Sequence, residues 1–226
     1  MLKAVVFDFD GVITDSEILH LRTFNEVLAQ YGIEITTRDY YTEYLGSTDF
    51  DCFKVLSDKH GLGLDKQGIE NLVRQKNEIY EELAKTEGKI IEGVRGFLEM
   101  LRDNNVRMAI CSGSLLTEIE LLLDEAGLRH FFEAIVSAEE VKKFKPDPEG
   151  FLLALRKLNE KGLSPISAGE CIAIEDSHWG LEAAKRAGMH TIAITNSYDA
   201  ERLASAEKTV DILTELTISQ LQGLCA

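Results

Sequence analysis

Positive charge is scarce in this chain. It has 24 lysine and arginine residues against 39 aspartate and glutamate residues, which gives a formal net charge of −15. Nucleic acids and acidic membrane surfaces bind proteins through clustered cations, so a chain with this balance repels both. We therefore expect neither a nucleic acid nor a membrane among its partners. Because cations are few, a lysine beside a strand end gains weight as a candidate anion-binding group.

Long apolar runs and paired cysteines are also missing. No stretch approaches the roughly 20 apolar residues of a membrane helix, and the first residues lead into a strand without a basic, cleavable leader, so we expect a soluble chain. Cys52, Cys111, Cys171 and Cys225 show no C-x-x-C pair and no zinc-like spacing. Cys111 and Cys171 stand in apolar runs, where cysteine is usually a small buried hydrophobe; this favours a reducing cytoplasm. No pattern sets the oligomeric state, and we favour a monomer.

What the chain does have is a regular alternation of strand and helix patterns. KAVVFD at 3–8 is a continuous apolar run, typical of a strand that is buried on both faces. The pattern predicts further strands at 106–112, within 131–141, at 170–176 and at 189–196, and helices at 93–105, 115–128, 148–160 and 177–188. Such alternation is typical of an α/β fold with a Rossmann-like parallel sheet and helices on both faces.

A helical block interrupts this alternation. Residues 16–87 have helical apolar spacing throughout and contain no convincing strand. We predict an inserted α-helical cap domain at 16–87 within a catalytic core formed by 1–15 and 88–226. The two crossings, ITDSE and KTEGKIIEGV, are polar or carry glycine. Such segments suit a hinge, although a static cap would give the same pattern.

Residues with chemical potential follow four of the predicted strands. The strand ends carry Asp8-Phe9-Asp10-Gly11, Ser112-Gly113-Ser114, the run Lys142 to Pro148, and Glu175-Asp176-Ser177. In an open parallel sheet, ligands bind at the carboxyl ends of the strands. We therefore expect these groups to meet at one edge of the sheet. The agreement of four strand ends is stronger evidence for a functional site than any single motif.

The carboxylates at this edge form a candidate metal site. Asp8 and Asp10 are two residues apart, so their side chains share a face, and Glu175 and Asp176 add to the negative charge. Carboxylates that close need a cation, and oxygen ligands without histidine or cysteine favour Mg²⁺ where phosphate also binds. Helix capping could explain each residue alone, but it does not require four strand ends to agree.

The serines and one lysine form a candidate anion site. Ser112-Gly113-Ser114 offers hydroxyls and backbone N–H groups at a helix N-terminus, a natural seat for phosphate, although serines also cap helices routinely. Lys145 precedes two of the chain's three prolines, which restrict where its ammonium can point. For Lys142 and Lys143 we favour a solvated surface.

These signals, in this order, resemble the haloacid dehalogenase superfamily of phosphotransferases across the whole chain. DFDGV at 8–12 resembles its first motif, Ser112 its second, Lys145 its third and Glu175-Asp176 its fourth. The helical block lies where this superfamily inserts a helical cap. The segments FDFDGVITDSE, YLGSTD, KNEIY and AIEDSHWGLEAAKRAG are most similar to the β-phosphoglucomutase and sugar-phosphatase branch.

The resemblance implies a role for each core residue. Asp8 would be the nucleophile that forms an aspartyl-phosphate, and Asp10 would protonate the leaving oxygen and later deprotonate water. Asp8, Asp176 and the backbone carbonyl of Asp10 would bind Mg²⁺, with Glu175 supporting the metal. Ser112 and Lys145 would hold the transferring phosphoryl group. The presence of Asp10 favours phosphate ester or anhydride chemistry over dehalogenation.

The resemblance also implies residues that contact the substrate. In the core these are Gly11, Gly113 and Ser114, and in the cap they are His20, Gly46, Ser47, Thr48 and Lys76. His20 has helical spacing with Phe24, so a packed or surface histidine is about as consistent with the pattern as a functional one. Lys76 fits a solvated helix lysine equally well.

One residue departs from the resemblance. The mutase relatives carry an arginine in the cap loop to bind a second phosphate, and here that position is Asp49. A carboxylate there would repel a distal phosphate. Arg74 or Lys76 could compensate, but hydrolysis of a substrate with one phosphoryl group is the simpler interpretation. We therefore expect a Mg²⁺-dependent phosphatase acting on a small metabolite with one phosphoryl group, such as a sugar phosphate. The alternatives are a phosphoglucomutase-like mutase, an inorganic pyrophosphatase, or an inactive binding protein.

Overall fold

The structure, a computed structural model, describes residues 1–45, 47–161 and 164–225. It divides the chain into two compact units, one of Met1–Asp15 with Lys89–Ala226 and one of Ser16–Gly88. The predicted boundary differs from this division only in the assignment of Gly88.

The smaller unit is helical. It contains α1 (Glu17–Leu28), α2 (Thr37–Asp39), α3 (Asp49–His60) and α4 (Lys66–Glu87), and a π-helical turn, Tyr40–Tyr44, follows α2. The side chains of Thr36, Thr48 and Asp65 cap the N-termini of α2, α3 and α4. α4 packs against α1 and α3 along a buried stripe at Ile69, Leu72, Lys76, Tyr80 and Ala84. A lysine therefore occupies one position of an otherwise mainly apolar stripe.

The larger unit is built on a parallel sheet. Its strands are β1 (Ala4–Phe7), β2 (Arg107–Cys111), β3 (Ala134–Val136), β4 (Cys171–Glu175), β5 (His190–Ile194) and β6 (Lys208–Val210). Within the described residues they lie in the order β3-β2-β1-β4-β5-β6, and every neighbouring pair is parallel. Phe7, the last residue of β1, pairs with Ile110 and Ile174. The residues after β1 therefore lie beside the ends of β2 and β4.

Helices cover both faces of this sheet. The larger unit contains α5 (Val94–Asp103), α6 (Leu116–Glu125), α7 (Glu149–Lys161), α8 (His178–Arg186) and α9 (Ile218–Leu224). Val6 belongs to a core cluster with residues of α7 and α8. Phe7, which points to the other face, packs edge-on against Phe97 of α5 at 6.1 Å between ring centroids. The expected Rossmann-like α/β fold is confirmed.

The structure adds elements after residue 196, where the sequence patterns predicted none. β6 extends the sheet beyond β5, and α9 follows it near the end of the chain. The four cysteines are free and buried. Among the described residues, no helix combines the length and apolarity needed to span a membrane.

Candidate active site

The turn after β1 brings Asp8 and Asp10 to the carboxyl end of the sheet. β1 is buried along its whole length, and Asp8 continues its ladder by donating its N–H to the Ile174 carbonyl at 2.9 Å. The chain then turns sharply at Gly11, whose φ of 77° lies in the left-handed region that favours glycine. The strand end and this turn hold both aspartates in fixed positions on the sheet edge.

Lys145 reaches into the site from the loop after β3. Its Nζ lies 2.7 Å from Asp8 Oδ1 and 2.5 Å from Glu175 Oε1, and it donates to the Cys111 carbonyl at 3.0 Å. Burial acts to lower the pKa of this ammonium, but Asp8 and Glu175 outweigh it and hold the pKa well above its usual value. The lysine is therefore a permanent cation between two carboxylates.

Asp8, Glu175 and Asp176 form an acidic cluster. One carboxylate oxygen from each lies within 4.8 Å of the others, and Glu175 and Asp176 are 0% and 4% exposed. Burial raises the pKa of Asp8 to about 7; Glu175 adds to the rise and Lys145 opposes it. One ammonium does not balance this charge, and a donor set made only of oxygen suits a hard divalent cation such as Mg²⁺.

Two glycines make room for the carboxylates of this cluster. A Cβ atom on Gly180, in the first turn of α8, would overlap the carboxyl group of Glu175, and one on Gly11 would overlap Asp176 Oδ2. Ser177 caps α8 at Gly180 N and also donates to Glu175 Oε2 at 2.9 Å. The end of β4 and the start of α8 are thus shaped around the carboxylates.

The loop after β2 lies against Asp10. Ser114 Oγ donates a short hydrogen bond to Asp10 Oδ2, and Ser112 Oγ is 3.5 Å from the same oxygen. Ser112 Oγ also accepts a hydrogen bond from the Ser114 backbone N–H at 2.9 Å. The Asp10 side chain therefore faces these serines and is not a member of the acidic cluster. Gly113 between them is exposed.

In the helical unit, Lys76 is enclosed by its own partners. Its side chain is 1% exposed, and its Nζ donates to both carboxylate oxygens of Asp49 at 2.8 and 2.7 Å. His20 Nδ1 lies 2.8 Å from the same Nζ, and the His20 ring stacks on Tyr80 with centroids 4.3 Å apart. The ammonium also lies over the rings of Phe24 and Tyr80. The interpretation of Lys76 as a solvated helix lysine is therefore wrong.

The other cap residues named from the sequence have simpler surroundings. Gly46 lies outside the described residues. Ser47 is exposed, and its N–H donates to the Tyr44 carbonyl at 3.1 Å. Thr48 caps α3: its hydroxyl accepts from Asp51 N at 3.1 Å and donates to Asp51 Oδ2 at 2.7 Å.

Sequence reasoning did not predict the contacts of three residues that shape these surroundings, although Ser177 and Asp49 were already named from the sequence. Ser177 and Gly180 support Glu175, and Asp49 is the ion-pair partner of Lys76. A signal for Lys76 was available, because it lies four residues from Leu72 and from Tyr80 on the buried stripe of α4. No local pattern identifies Asp49 as its partner, since the two residues lie on different helices.

Comparisons with known proteins point in one direction. Residues 5–194 match the model of the family described as haloacid dehalogenase-like hydrolase. Hexitol phosphatase B of Escherichia coli is 29% identical over an alignment of 227 positions, which covers 98% of this chain and 97% of that protein. A phosphorylated carbohydrates phosphatase of Thermotoga maritima is 29% identical over 194 residues, 84% of each chain. The solved structure of a β-phosphoglucomutase from Clostridium difficile has a TM-score of 0.85 at 25% identity and covers 100% of this chain and 97% of that one.

Proposed function

Because the chain belongs to the haloacid dehalogenase-like hydrolase family, we propose that it is a Mg²⁺-dependent phosphatase that hydrolyses a small sugar phosphate through an aspartyl-phosphate on Asp8. The observation that carries the proposal is the position of Asp8. Its carboxylate is bound by Lys145 and lies within 4.8 Å of Glu175 and Asp176. A nucleophile, a cation for the phosphoryl group and a candidate metal site thus meet at one strand end.

In the first half of the proposed reaction, an oxygen of Asp8 attacks phosphorus and the bond from phosphorus to the sugar oxygen breaks. Asp10 gives its proton to the departing oxygen, so the sugar leaves as a neutral alcohol and Asp10 becomes a carboxylate. Lys145 and Ser112 hold the phosphoryl oxygens and offset their charge, which is the main electrostatic task of this reaction class.

In the second half, water attacks phosphorus and the bond to Asp8 breaks. Asp10 takes the proton that water loses, so Asp8 is restored as a carboxylate and inorganic phosphate leaves. The same residue therefore serves as acid and then as base, and its protonation state returns to the start after each cycle. Over the whole cycle, the bonds formed equal the bonds broken and every proton is accounted for, so no reactant other than the phosphate ester and water is needed.

The metal site is assigned to the acidic cluster. Asp8, Asp176 and the backbone carbonyl of Asp10 would hold Mg²⁺, with Glu175 supporting them; buried, oxygen-only donors fit such a cation. When bound, Mg²⁺ supplies positive charge that draws the phosphoryl group to Asp8 and stabilises the transition state.

For the substrate, we assign selection to the helical unit, with Gly46, Ser47, Thr48 and His20 as candidate contacts. The relatives named above support a phosphorylated carbohydrate, since both are named as phosphatases of such compounds or of hexitols. Asp49 supports a substrate with a single phosphoryl group, because its carboxylate already neutralises the Lys76 ammonium. We expect the protein to act in the cytoplasm, where its four free cysteines stay reduced.

A mutase that returns the phosphoryl group to the sugar is the second candidate, favoured by the likeness to the β-phosphoglucomutase structure. It would have to hold a sugar with two phosphoryl groups, and the pairing of Asp49 with Lys76 argues against a cation for the second one. Hydrolysis of inorganic pyrophosphate would need the same core groups, and the assay that tests the mutase tests this activity as well.

The test is a product assay with Mg²⁺ on hexose 1- and 6-phosphates, hexitol phosphates and pyrophosphate. We expect free phosphate from one or more of the carbohydrate monophosphates and no glucose 6-phosphate from β-glucose 1-phosphate. Formation of glucose 6-phosphate without phosphate release would favour the mutase. Turnover of pyrophosphate alone would replace the sugar phosphate in the proposal, and no turnover of any compound would overturn it.

A further inference from the structure

Ser114 makes a contact that its expected role as a substrate contact does not explain. Its hydroxyl donates a short hydrogen bond to Asp10 Oδ2, although the two residues are 104 positions apart in the chain. The side chain is largely buried, since Ser114 is 9% exposed. A buried hydroxyl needs a hydrogen-bond partner, and here that partner is a carboxylate from another loop, so the contact is specific.

The backbone around Ser114 is fixed on both sides. Ser112 N donates to the Val136 carbonyl at 2.9 Å, and the Ser114 carbonyl accepts from Ala138 N at 3.0 Å. Ser112 Oγ accepts from Ser114 N at 2.9 Å and so closes the loop on itself. The backbone of Ser114 is therefore held in place by the ends of β2 and β3.

The two aspartates of the first strand end have different partners. Asp8 is bound by the ammonium of Lys145 and belongs to the acidic cluster. Asp10 is bound by the neutral hydroxyl of Ser114, with Ser112 at 3.5 Å. A hydrogen bond from a hydroxyl fixes the direction of a carboxyl group. Such a contact suits a group whose orientation decides where it gives and takes a proton.

We propose that Ser114 is a positioning residue for Asp10: it binds Oδ2 and thereby fixes the orientation of the carboxyl group that exchanges the proton with the leaving group. This inference rests on the proposed phosphatase function. It separates the two serines of the loop, because Ser112 acts on the phosphoryl group whereas Ser114 acts through Asp10.

The two roles differ in how they depend on the leaving group. A sugar oxygen leaves poorly unless it is protonated, so its departure depends on a correctly oriented Asp10; the departure of 4-nitrophenolate does not. The value of kcat/KM covers only the steps up to the first product, so it excludes the later hydrolysis of the aspartyl-phosphate, which both substrates share. A loss of Asp10 orientation must therefore lower kcat/KM more for a sugar phosphate than for 4-nitrophenyl phosphate.

The experiment measures kcat/KM of the Mg²⁺-loaded full chain for 4-nitrophenyl phosphate and for the carbohydrate monophosphate that the wild type hydrolyses fastest. For Ser114→Ala we expect a loss at least about 10-fold greater with the carbohydrate, in the direction of Asp10→Asn and consistent with the usual worth of general acid catalysis. For Ser112→Ala we expect similar losses with both substrates. Ser114→Thr keeps the hydroxyl and should recover most of the carbohydrate activity.

Equal losses for the two substrates in Ser114→Ala, or a rise in KM alone, would overturn the inference and leave Ser114 as a substrate contact. Thermal unfolding of each variant identifies any that fail to fold, and Ser114→Cys, which replaces the hydroxyl with a weak donor of similar size, then takes the place of Ser114→Ala in the same comparison. If the wild type hydrolyses neither substrate, the proposed function fails instead, so the two failures are distinguishable.

Discussion

The acidic side chains of the core site carry more negative charge than the neighbouring lysine can balance. Lys145 is one ammonium between Asp8 and Glu175, and Asp176 is buried beside them. The helical unit has the opposite arrangement, since Lys76 is matched by both oxygens of Asp49. The first cluster is therefore a site that gains from a cation, whereas the second is already neutral. This difference is the physical basis for placing the metal in the core.

The burial of Asp8 beside Glu175 predicts a pH effect on the metal-free protein. The pKa of Asp8 is raised to about 7, so the folded protein keeps a proton that the unfolded chain releases above about pH 4. Stability from this group is present at low pH and is lost as the pH rises to 7, on the order of 1 kcal/mol per pH unit. Urea unfolding with a chelator should therefore show wild type losing stability relative to Asp8→Asn between pH 5 and 7. A difference that stays constant over that range would contradict the account.

The balanced pair predicts a different result in the helical unit. Asp49→Asn leaves the buried Lys76 ammonium without its carboxylate. Breaking a fully buried pair costs about 3–5 kcal/mol, and since Asp49 is 26% exposed we expect about 1–3 kcal/mol. Asp51→Asn is the matched control: Asp51 lies in the same first turn of α3, is exposed and bonds locally to Thr48, so about 0.5 kcal/mol is expected. Equal effects in urea unfolding would mean that the pair contributes nothing.

The strands and helices of the larger unit position the site residues at their ends. β1, β2 and β4 stop at the same level, and the first turn of α8 packs directly against the carboxylate that ends β4. Most of these elements are readable in the sequence, because a strand buried on both faces is a continuous apolar run and each helix has apolar spacing. The convergence of the four strand ends was predictable for the same reason.

What the sequence did not reveal has physical causes. β6 is a three-residue strand, Lys-Thr-Val, at the edge of the sheet, and its partial burial leaves no apolar run to detect. α9 has only seven residues, so its three apolar residues, Ile218, Leu221 and Leu224, give too short a pattern to predict a helix. The pairs Lys76–Asp49 and Ser114–Asp10 join residues that are 27 and 104 positions apart. Partners of that kind depend on tertiary packing, which local patterns do not encode.

The close packing of α8 on β4 predicts opposite effects for two glycine substitutions. Gly180→Ala would place a Cβ in the carboxyl group of Glu175, so we expect lower stability and lower kcat together with weaker Mg²⁺ binding. Gly96→Ala is the control, since Gly96 lies in α5 with open space around its Cβ position. Alanine is the better helix former, so this variant should gain about 0.5–1 kcal/mol and keep its activity. If thermal unfolding shows both variants stabilised, the packing of α8 against Glu175 is not tight.

The molecule as a whole is strongly acidic, with a formal net charge of −15. Diffuse binding of any cation to such a surface reduces self-repulsion. A specific metal site adds a saturable effect, because a cation that binds only the folded state stabilises it by RT ln(1 + [L]/Kd). The two effects differ in their dependence on the acidic cluster and on ionic strength.

Mg²⁺ should therefore stabilise the wild type at constant ionic strength and raise its Tm. Above Kd, each tenfold rise in Mg²⁺ concentration should add about 1.4 kcal/mol to the free energy of unfolding. Asp176→Asn removes one carboxylate of the cluster and should lose most of this gain. NaCl at matched ionic strength is the control for the diffuse effect. A variant that responds to Mg²⁺ as strongly as the wild type would place the metal elsewhere.

The central claim is that Asp8 becomes covalently phosphorylated during turnover, and trapping that intermediate tests it most directly. The Mg²⁺-loaded protein is mixed with its carbohydrate monophosphate, quenched in acid within the first turnover, digested, and its peptides are weighed by mass spectrometry. The account predicts one phosphoryl group on the peptide that contains Asp8, labile to hydroxylamine and absent in Asp8→Asn. Full turnover by Asp8→Asn, or a phosphoryl group on another residue, would contradict it.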